Sequence, residues 1–98
     1  MKVTTEAIQF KADVKLLEFI DEKVGKLEKL SDQIINAKVK LRLENSGKVR
    51  DKIVEVSLSV PGEHLFAKST SKSFETATDD VVKALGRQLK KFKSKFAH

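Results

Sequence analysis

Along the chain, the spacing of apolar residues switches between a helical period and a strand period, and each switch marks an element. Residues that favour strands predict a short first strand from Lys2 to Gln9. Apolar residues then recur at spacings of three and four, as an amphipathic helix requires: Leu16, Leu17, Ile20, Val24, Leu27 and Leu30. Asp13 precedes this run and can accept a hydrogen bond from a free N–H of the first turn, so we predict a helix from about 13 to 30.

The middle of the chain changes to a period of two. Apolar residues alternate with charged ones and predict a second strand with one apolar side: Ala37, Val39, Leu41 and Leu43. The segment NSGKVRD, residues 45–51, predicts a hairpin loop because Asn, Ser and Gly tolerate turn dihedrals. A third strand over 53–60 ends at Pro61 and Gly62, whose order suits a type II turn, and a fourth strand is predicted from His64 to Thr70.

A second helix is predicted after Ser73, whose hydroxyl can cap its first turn. Five apolar residues fall within a sector about 80° wide and predict the side that faces the core: Val81, Leu85, Leu89, Phe92 and Phe96. The element order is therefore βαβββα. It predicts an α+β sandwich of two layers, in which an antiparallel four-stranded sheet carries both helices on one face, with residues 1–98 as a single domain.

Net charge is +6, and it is distributed unevenly. Residues 1–80 hold equal numbers of basic and acidic residues, whereas residues 81–98 hold six basic residues and no acid. Such an excess predicts a polyanionic partner, either a nucleic acid or an anionic membrane surface. The chain has no cysteine, no apolar run approaching about 18 residues and no apolar signal segment at its start, so we expect a cytoplasmic protein without disulfides.

The residue types that commonly carry catalysis or bind metals are few and poorly placed. His64 and His98 are the two histidines, and they are far apart in the sequence. Asp79 and Asp80 are adjacent on a predicted helix, so their side chains diverge by about 100°. We therefore expect no enzymatic activity, no cofactor, no metal site and no small-molecule substrate.

A basic face on the second helix is the strongest functional signal among the residues. Four cations fall within about 100° on the side opposite the apolar stripe: Lys83, Arg87, Lys90 and Lys91. No acidic residue follows Val81, so Arg87, Lys90 and Lys91 have no acidic partner at i, i+4 to relieve the repulsion between these cations, which favours contact with a polyanion. Further cations that extend this surface are Lys93 and Lys95 beside the stripe, and Lys23, Lys26 and Lys29 on the first helix.

Aromatic residues among lysines can stack on unpaired bases. Phe92 and Phe96 lie on the apolar stripe, which predicts a place in the core for both. Phe66 shares a side of its strand with His64 and Lys68, and the pattern leaves its role open. A module that binds a membrane surface would need the apolar stripe that the sheet requires as core, so we expect no membrane partner.

Two segments resemble a known family: LLEFIDEKVGKLEKL, residues 16–30, and SFETATDDVVKALGRQLKKFKSK, residues 73–95. They look like the ribosome hibernation promoting factors, also described as sigma-54 modulation or ribosomal subunit interface proteins, and the similarity covers essentially the whole chain. Its most specific part is Asp79, Leu85, Arg87 to Leu89, Lys91, Lys93 and Lys95 at the family's spacing.

The resemblance implies two roughly parallel helices whose basic faces bind the small ribosomal subunit and its ribosomal RNA. The site is the channel for messenger and transfer RNA, where occupancy of the A and P sites inhibits translation and stores idle ribosomes in stress or stationary phase. By resemblance, the residues that contact RNA are Lys23, Lys26, Lys29, Arg87, Lys91, Lys93 and Lys95. Helical geometry alone adds Lys83 and Lys90.

The chain departs from the family where relatives have an aromatic residue followed by Ala-Ala-Ile-Asp. It reads Glu75-Thr76-Ala77-Thr78-Asp79 there. The resemblance is to the short, promoting form, so ribosome dimerisation would either need a separate dimerising factor or not occur. The alternatives are a regulator that binds a protein, as the sigma-54 name suggests, and a basic module that binds a membrane surface.

Overall fold

The computed structural model describes residues 1–46 and 49–95 and confirms the predicted order βαβββα. The elements are β1 (Lys2–Ala7), α1 (Val14–Gly25), β2 (Asn36–Ser46), β3 (Val49–Val60), β4 (Glu63–Ser71) and α2 (Phe74–Ser94). The first helix is shorter than predicted, since a 3₁₀ turn over Lys26–Lys29 replaces its last part. Gly25 has low helix propensity, and helices commonly tighten to 3₁₀ geometry at their ends.

The strand order in the sheet is β1-β2-β3-β4. The prediction of an antiparallel sheet holds for β2, β3 and β4 but is wrong for β1, which pairs with β2 in parallel. Lys2 lies opposite Asn36, and Ala7 lies opposite Leu41. The cause is α1, which carries the chain from the end of β1 back to the start of its neighbour, as a crossover between parallel strands requires.

The prediction of a hairpin loop over residues 45–51 is also wrong, because both flanking strands extend into that range. Strand β2 continues to Ser46 and β3 begins at Val49, and these two residues are paired. Backbone groups make the ladder, so it continues past the point where apolar alternation stops. Residues 47 and 48 lie outside the described residues. The predicted turn at Pro61-Gly62 is confirmed, since Gly62 has a φ of 83°, as the third position of a type II turn requires.

The core lies between one face of the sheet and both helices. The strands contribute the buried side chains of Ala37, Val39, Leu41, Val54, Val56, Leu58, Leu65 and Ala67. Helix α1 contributes Ile20 and Val24, and the predicted stripe of α2 is confirmed for Val81, Leu85, Leu89 and Phe92. Phe96 and His98 lie outside the described residues.

The two helices lie side by side and run in the same direction. Just before α1, Phe10 stacks on Phe74, the first residue of α2, with ring centroids 5.3 Å apart. Beyond the 3₁₀ turn, Leu30 lies against Gly86, where an added Cβ would be 3.5 Å from Leu30 Cδ1. The N-terminal ends therefore meet at one end of the sandwich, and the chain segments after α1 meet the C-terminal half of α2.

Side chains satisfy the free N–H groups where each helix begins. Asp13 Oδ1 accepts a hydrogen bond from the Leu16 N–H at 2.8 Å, and Ser73 Oγ accepts one from the Thr76 N–H at 3.1 Å. Both predicted caps are confirmed. These caps fix the point where each helix begins, and so they fix which residues face the other helix.

Candidate nucleic-acid interface

A groove lies between the middle of α2, residues 82–90, and the end of the first helical segment. We call it the basic groove. Its rim is formed by the cations Lys26, Lys29, Lys83, Arg87 and Lys90, and its floor by Leu27, Leu30, Val82 and Gly86. The groove has a volume of about 460 Å³. Five positive charges thus surround a surface made largely of carbon.

The fold of α2 accounts for the position of three of these cations. Lys83, Arg87 and Lys90 are separated by four and three residues, so they lie on one side of the helix. The opposite side is held in the core by Leu85 and Leu89. Because that side is anchored to the sheet, the cations are directed away from it together.

The 3₁₀ turn supplies the other side of the rim. Lys26 and Lys29 stand at its first and last positions, one turn apart, with Leu27 buried between them. The close approach of Leu30 to Gly86 brings this turn against α2. A residue with a larger side chain at position 86 would fill part of the floor.

The charges of the basic groove are poorly compensated. Lys26 forms an exposed ion pair with Glu22 at 3.8 Å, of a kind that contributes little to stability. Within residues 1–46 and 49–95, no ion pair involves Lys29, Lys83, Arg87 or Lys90. The helix dipole does not account for Lys83 and Arg87, because its effect is confined to the last turn. This arrangement suits a ligand with repeated negative charges.

Four of the predicted cations lie outside the groove. Lys23 places its ammonium 5.6 Å from the centroid of the Phe19 ring. Lys93 Nζ donates a hydrogen bond to the Leu30 carbonyl at 2.8 Å and so ties α2 to the end of the 3₁₀ turn. Lys95 lies 3.4 Å from Glu63 at the start of β4, and Lys91 is exposed without lining the groove.

Sequence reasoning missed the floor of the groove. Val82, Gly86 and Lys90 follow one another at intervals of four residues, so the three form one row on α2. This spacing could have identified the part of the groove floor that α2 contributes. The contribution of Leu30 was not visible in the sequence, because it depends on how the two helical segments pack.

The residues considered for catalysis, His64, Asp79 and Asp80, do not line the basic groove. His64 is exposed, with Nδ1 3.3 Å from Ser59 Oγ. Asp80 accepts a hydrogen bond from Ser69 Oγ at 3.3 Å. In the described ranges no group of three or more acidic or histidine side chains could hold a metal ion. Among the described helices, none combines the length and the hydropathy of a membrane span. The apolar stripe of α2 is buried, with Phe92 only 1% exposed, so it is not available to lipid.

Comparison with known proteins gives a consistent family assignment. Residues 3–97 match the family of the sigma 54 modulation protein and S30EA ribosomal protein. A ribosome hibernation promotion factor of Deinococcus radiodurans is 35% identical over 80 residues, which cover 81% of this chain and 42% of that protein. A ribosome hibernation promoting factor of Pseudomonas putida is 30% identical over 95 residues, covering 97% of this chain and 89% of that protein. The chain thus spans less than half the length of the first relative and most of the second.

Solved structures share the fold. A ribosomal subunit interface protein from Coxiella burnetii superposes with a TM-score of 0.83 at 22% identity, covering 96% of this chain and 99% of that one. The N-terminal domain of Protein Y from Thermus thermophilus superposes with a TM-score of 0.75 at 23% identity, covering 93% and 94%. At these identities the likeness establishes the fold.

Proposed function

Since the chain belongs to the sigma 54 modulation protein and S30EA ribosomal protein family, we propose that it is a ribosome hibernation factor that binds the small ribosomal subunit through the basic groove. It acts in the cytoplasm and occupies the channel for messenger and transfer RNA. The observation that carries the proposal is the meeting of five cations from two helical segments around one groove.

Binding would rest on contacts between the cations and phosphates of ribosomal RNA. Such contacts supply affinity and orientation rather than choice of sequence. Arg87 can hold a phosphate with two parallel N–H donors, whereas the lysines act as compact charges. Selection of the site would then come from the match between the groove and the folded RNA surface.

Inhibition would follow from occupancy of the A and P sites. The helices are anchored to the sheet by a continuous core, so the bound domain is a rigid obstacle rather than a flexible tail. A transfer RNA cannot enter a site that this domain fills. The ribosome would remain intact and idle until the factor dissociates.

The predicted cations outside the groove would contribute to RNA binding in different ways. Lys91 and Lys23 extend the basic surface beside the groove. Lys93 and Lys95 have partners within the chain, the Leu30 carbonyl and Glu63, so each would exchange that partner for a phosphate on binding. We expect them to contribute less to affinity than Lys83, Arg87 and Lys90.

The test is sedimentation of the protein with isolated small and large ribosomal subunits, together with inhibition of translation in a cell-free system. A variant with Lys83→Ala, Arg87→Ala and Lys90→Ala should lose binding to the small subunit and lose inhibition. The matched control replaces Lys11, Lys15 and Lys72 by Ala, three exposed cations outside the groove with the same total charge.

Three results would contradict the proposal. They are equal loss of binding in both triple variants, binding to large subunits alone, and retained inhibition by the groove variant. Capture of a protein partner from lysate treated with RNase, with no binding to either subunit, would instead favour the regulator that binds a protein.

A further inference from the structure

The face of the sheet opposite the helices is open and carries an exposed aromatic ring. Phe66 on β4 is 54% exposed, although its neighbours Leu65 and Ala67 are buried on the other face. The sequence left its role undecided, and the structure places it outside the core. A phenylalanine on an open sheet presents a flat apolar surface to solvent.

The strand register defines what surrounds this ring. Phe66 lies opposite Ser57 on β3, and Ser57 lies opposite Lys38 on β2. Neighbouring strands are about 4.8 Å apart, so the row consists of a ring, a small hydroxyl and a cation within about 10 Å. On β4 the next residues on the same face are His64 and Lys68. The row across β2, β3 and β4 thus contains no acid.

The charged side chains on this face are only partly paired with one another. Glu55 is approached by two cations, Arg42 at 3.7 Å and Lys68 at 4.0 Å, so its charge is compensated. Lys38 and Lys40 are exposed and form no ion pair with any part of the chain that the structure describes. Lys40 lies opposite Glu55 on β3 and Glu6 on β1, whereas Lys38 lies opposite Ser57 and Thr4 and so has no acid beside it across the sheet. The row of Phe66 therefore ends in one cation, Lys38, that has no acidic residue opposite it on either neighbouring strand.

We propose that this open face is a second nucleic-acid surface, which binds single-stranded RNA by stacking an unpaired base on Phe66 while Lys38 contacts a flanking phosphate. An aromatic ring on an open sheet with cations beside it is a general means of holding unpaired bases. Base stacking needs one accessible ring and little apolar area.

A protein partner fits this face less well. Protein interfaces need a larger apolar centre and are depleted in lysine, whereas one exposed ring stands here among charged side chains, serines and a histidine. The surface also lies across the sheet from the basic groove, so one molecule could hold two separate RNA segments. The inference goes beyond the proposed function and does not depend on ribosome binding.

The sequence permits a direct test, because it contains neither tryptophan nor tyrosine. Phe66→Trp introduces a single indole on the open face. Val14→Trp is the matched control, because it places an indole at a position that is 67% exposed at the start of α1, away from the open face. We expect oligouridylate to quench the fluorescence of Phe66→Trp in a saturable manner and to leave Val14→Trp unchanged. Duplex RNA and heparin, which offer no unpaired base, should quench neither.

A second experiment measures affinity in the variant that lacks Lys83, Arg87 and Lys90, so that the basic groove does not mask the open face. There, Phe66→Ala should weaken binding of oligouridylate by about fivefold or more, and Phe66→Tyr should retain it. Phe66 lies outside the core, so these changes leave the fold intact, which circular dichroism checks.

The inference is overturned by unchanged affinity in Phe66→Ala, by the absence of quenching in Phe66→Trp, or by equal quenching with heparin. Loss of ribosome binding in the groove variant would leave the inference untouched, and failure of oligouridylate binding would leave the proposed function untouched. The two proposals can thus fail separately.

Discussion

The side-chain amide of Gln88 on α2 donates a hydrogen bond to the backbone carbonyl of Phe66 on β4, with Nε2 and O 2.8 Å apart. Strand β4 forms one edge of the sheet, so this carbonyl has no further strand to pair with. Unpaired edge groups are sites where another chain can add a strand. The helix that carries the basic face therefore also protects an edge of the sheet.

Replacing Gln88 by Ala should expose this carbonyl. We expect a loss of about 0.5–1.5 kcal/mol in the free energy of unfolding, measured with urea, because one hydrogen bond is removed. We also expect more self-association, measured by sedimentation velocity at increasing protein concentration. Gln33→Ala is the control, since only the backbone of Gln33 makes a described hydrogen bond. Unchanged stability and association in Gln88→Ala would show that the bond has no protective role.

Affinity for ribosomal RNA should fall steeply with salt. If the five cations of the basic groove each neutralise one phosphate, a plot of log affinity against log salt concentration has a slope of about −3.5 to −4.5. In the variant without Lys83, Arg87 and Lys90, the magnitude of this slope should be smaller by about 2 to 3. Filter binding across a salt series measures both. A slope near zero for the unmodified chain would contradict an electrostatic mechanism.

Gly86→Ala should stabilise the protein. Alanine is favoured over glycine in a helix by about 1 kcal/mol, and the added Cβ would lie 3.5 Å from Leu30 Cδ1, an ordinary contact distance. Gly25→Ala is the comparison, since its Cβ would meet no atom within 4 Å. Thermal unfolding of both variants should show gains of similar size. A clear loss in Gly86→Ala alone would mean that the floor of the groove cannot accept a methyl group.

Lys93 and Lys91 provide a matched pair of substitutions two residues apart. Lys93→Met should lower the free energy of unfolding by up to about 1 kcal/mol, because it removes the hydrogen bond to the Leu30 carbonyl. It should also speed hydrogen exchange in the 3₁₀ turn. Lys91→Met removes the same charge from an exposed position and should leave both quantities unchanged. Identical behaviour of the two variants would show that Lys93 does not hold the turn against α2.

Local features were predictable because the sequence encodes them within a few residues. Asp13 and Ser73 cap the helices as expected, since a cap needs only its own first turn. The stripe of α2 was predictable for the same reason: Leu85 and Leu89 recur at the helical period. That period also separated the core side of α2 from the side that carries Arg87.

Features that depend on partners distant in sequence were not predictable. The parallel pairing of Lys2 with Asn36 follows from the path of α1 across the sheet. The pairing of Ser46 with Val49 follows from a ladder of backbone groups, which does not require the alternation of apolar and polar residues to continue.

The sequence by itself determined the kinds of element, where the helices begin, and which side of α2 is basic, because each of these depends on spacing along one segment. Only the tertiary structure decided that Lys26 and Lys29 meet Arg87 across a groove while Lys95 turns to Glu63. The reason is physical. Burial of the helix stripes against the sheet sets the distance between segments remote in sequence, and that distance decides which charges act together.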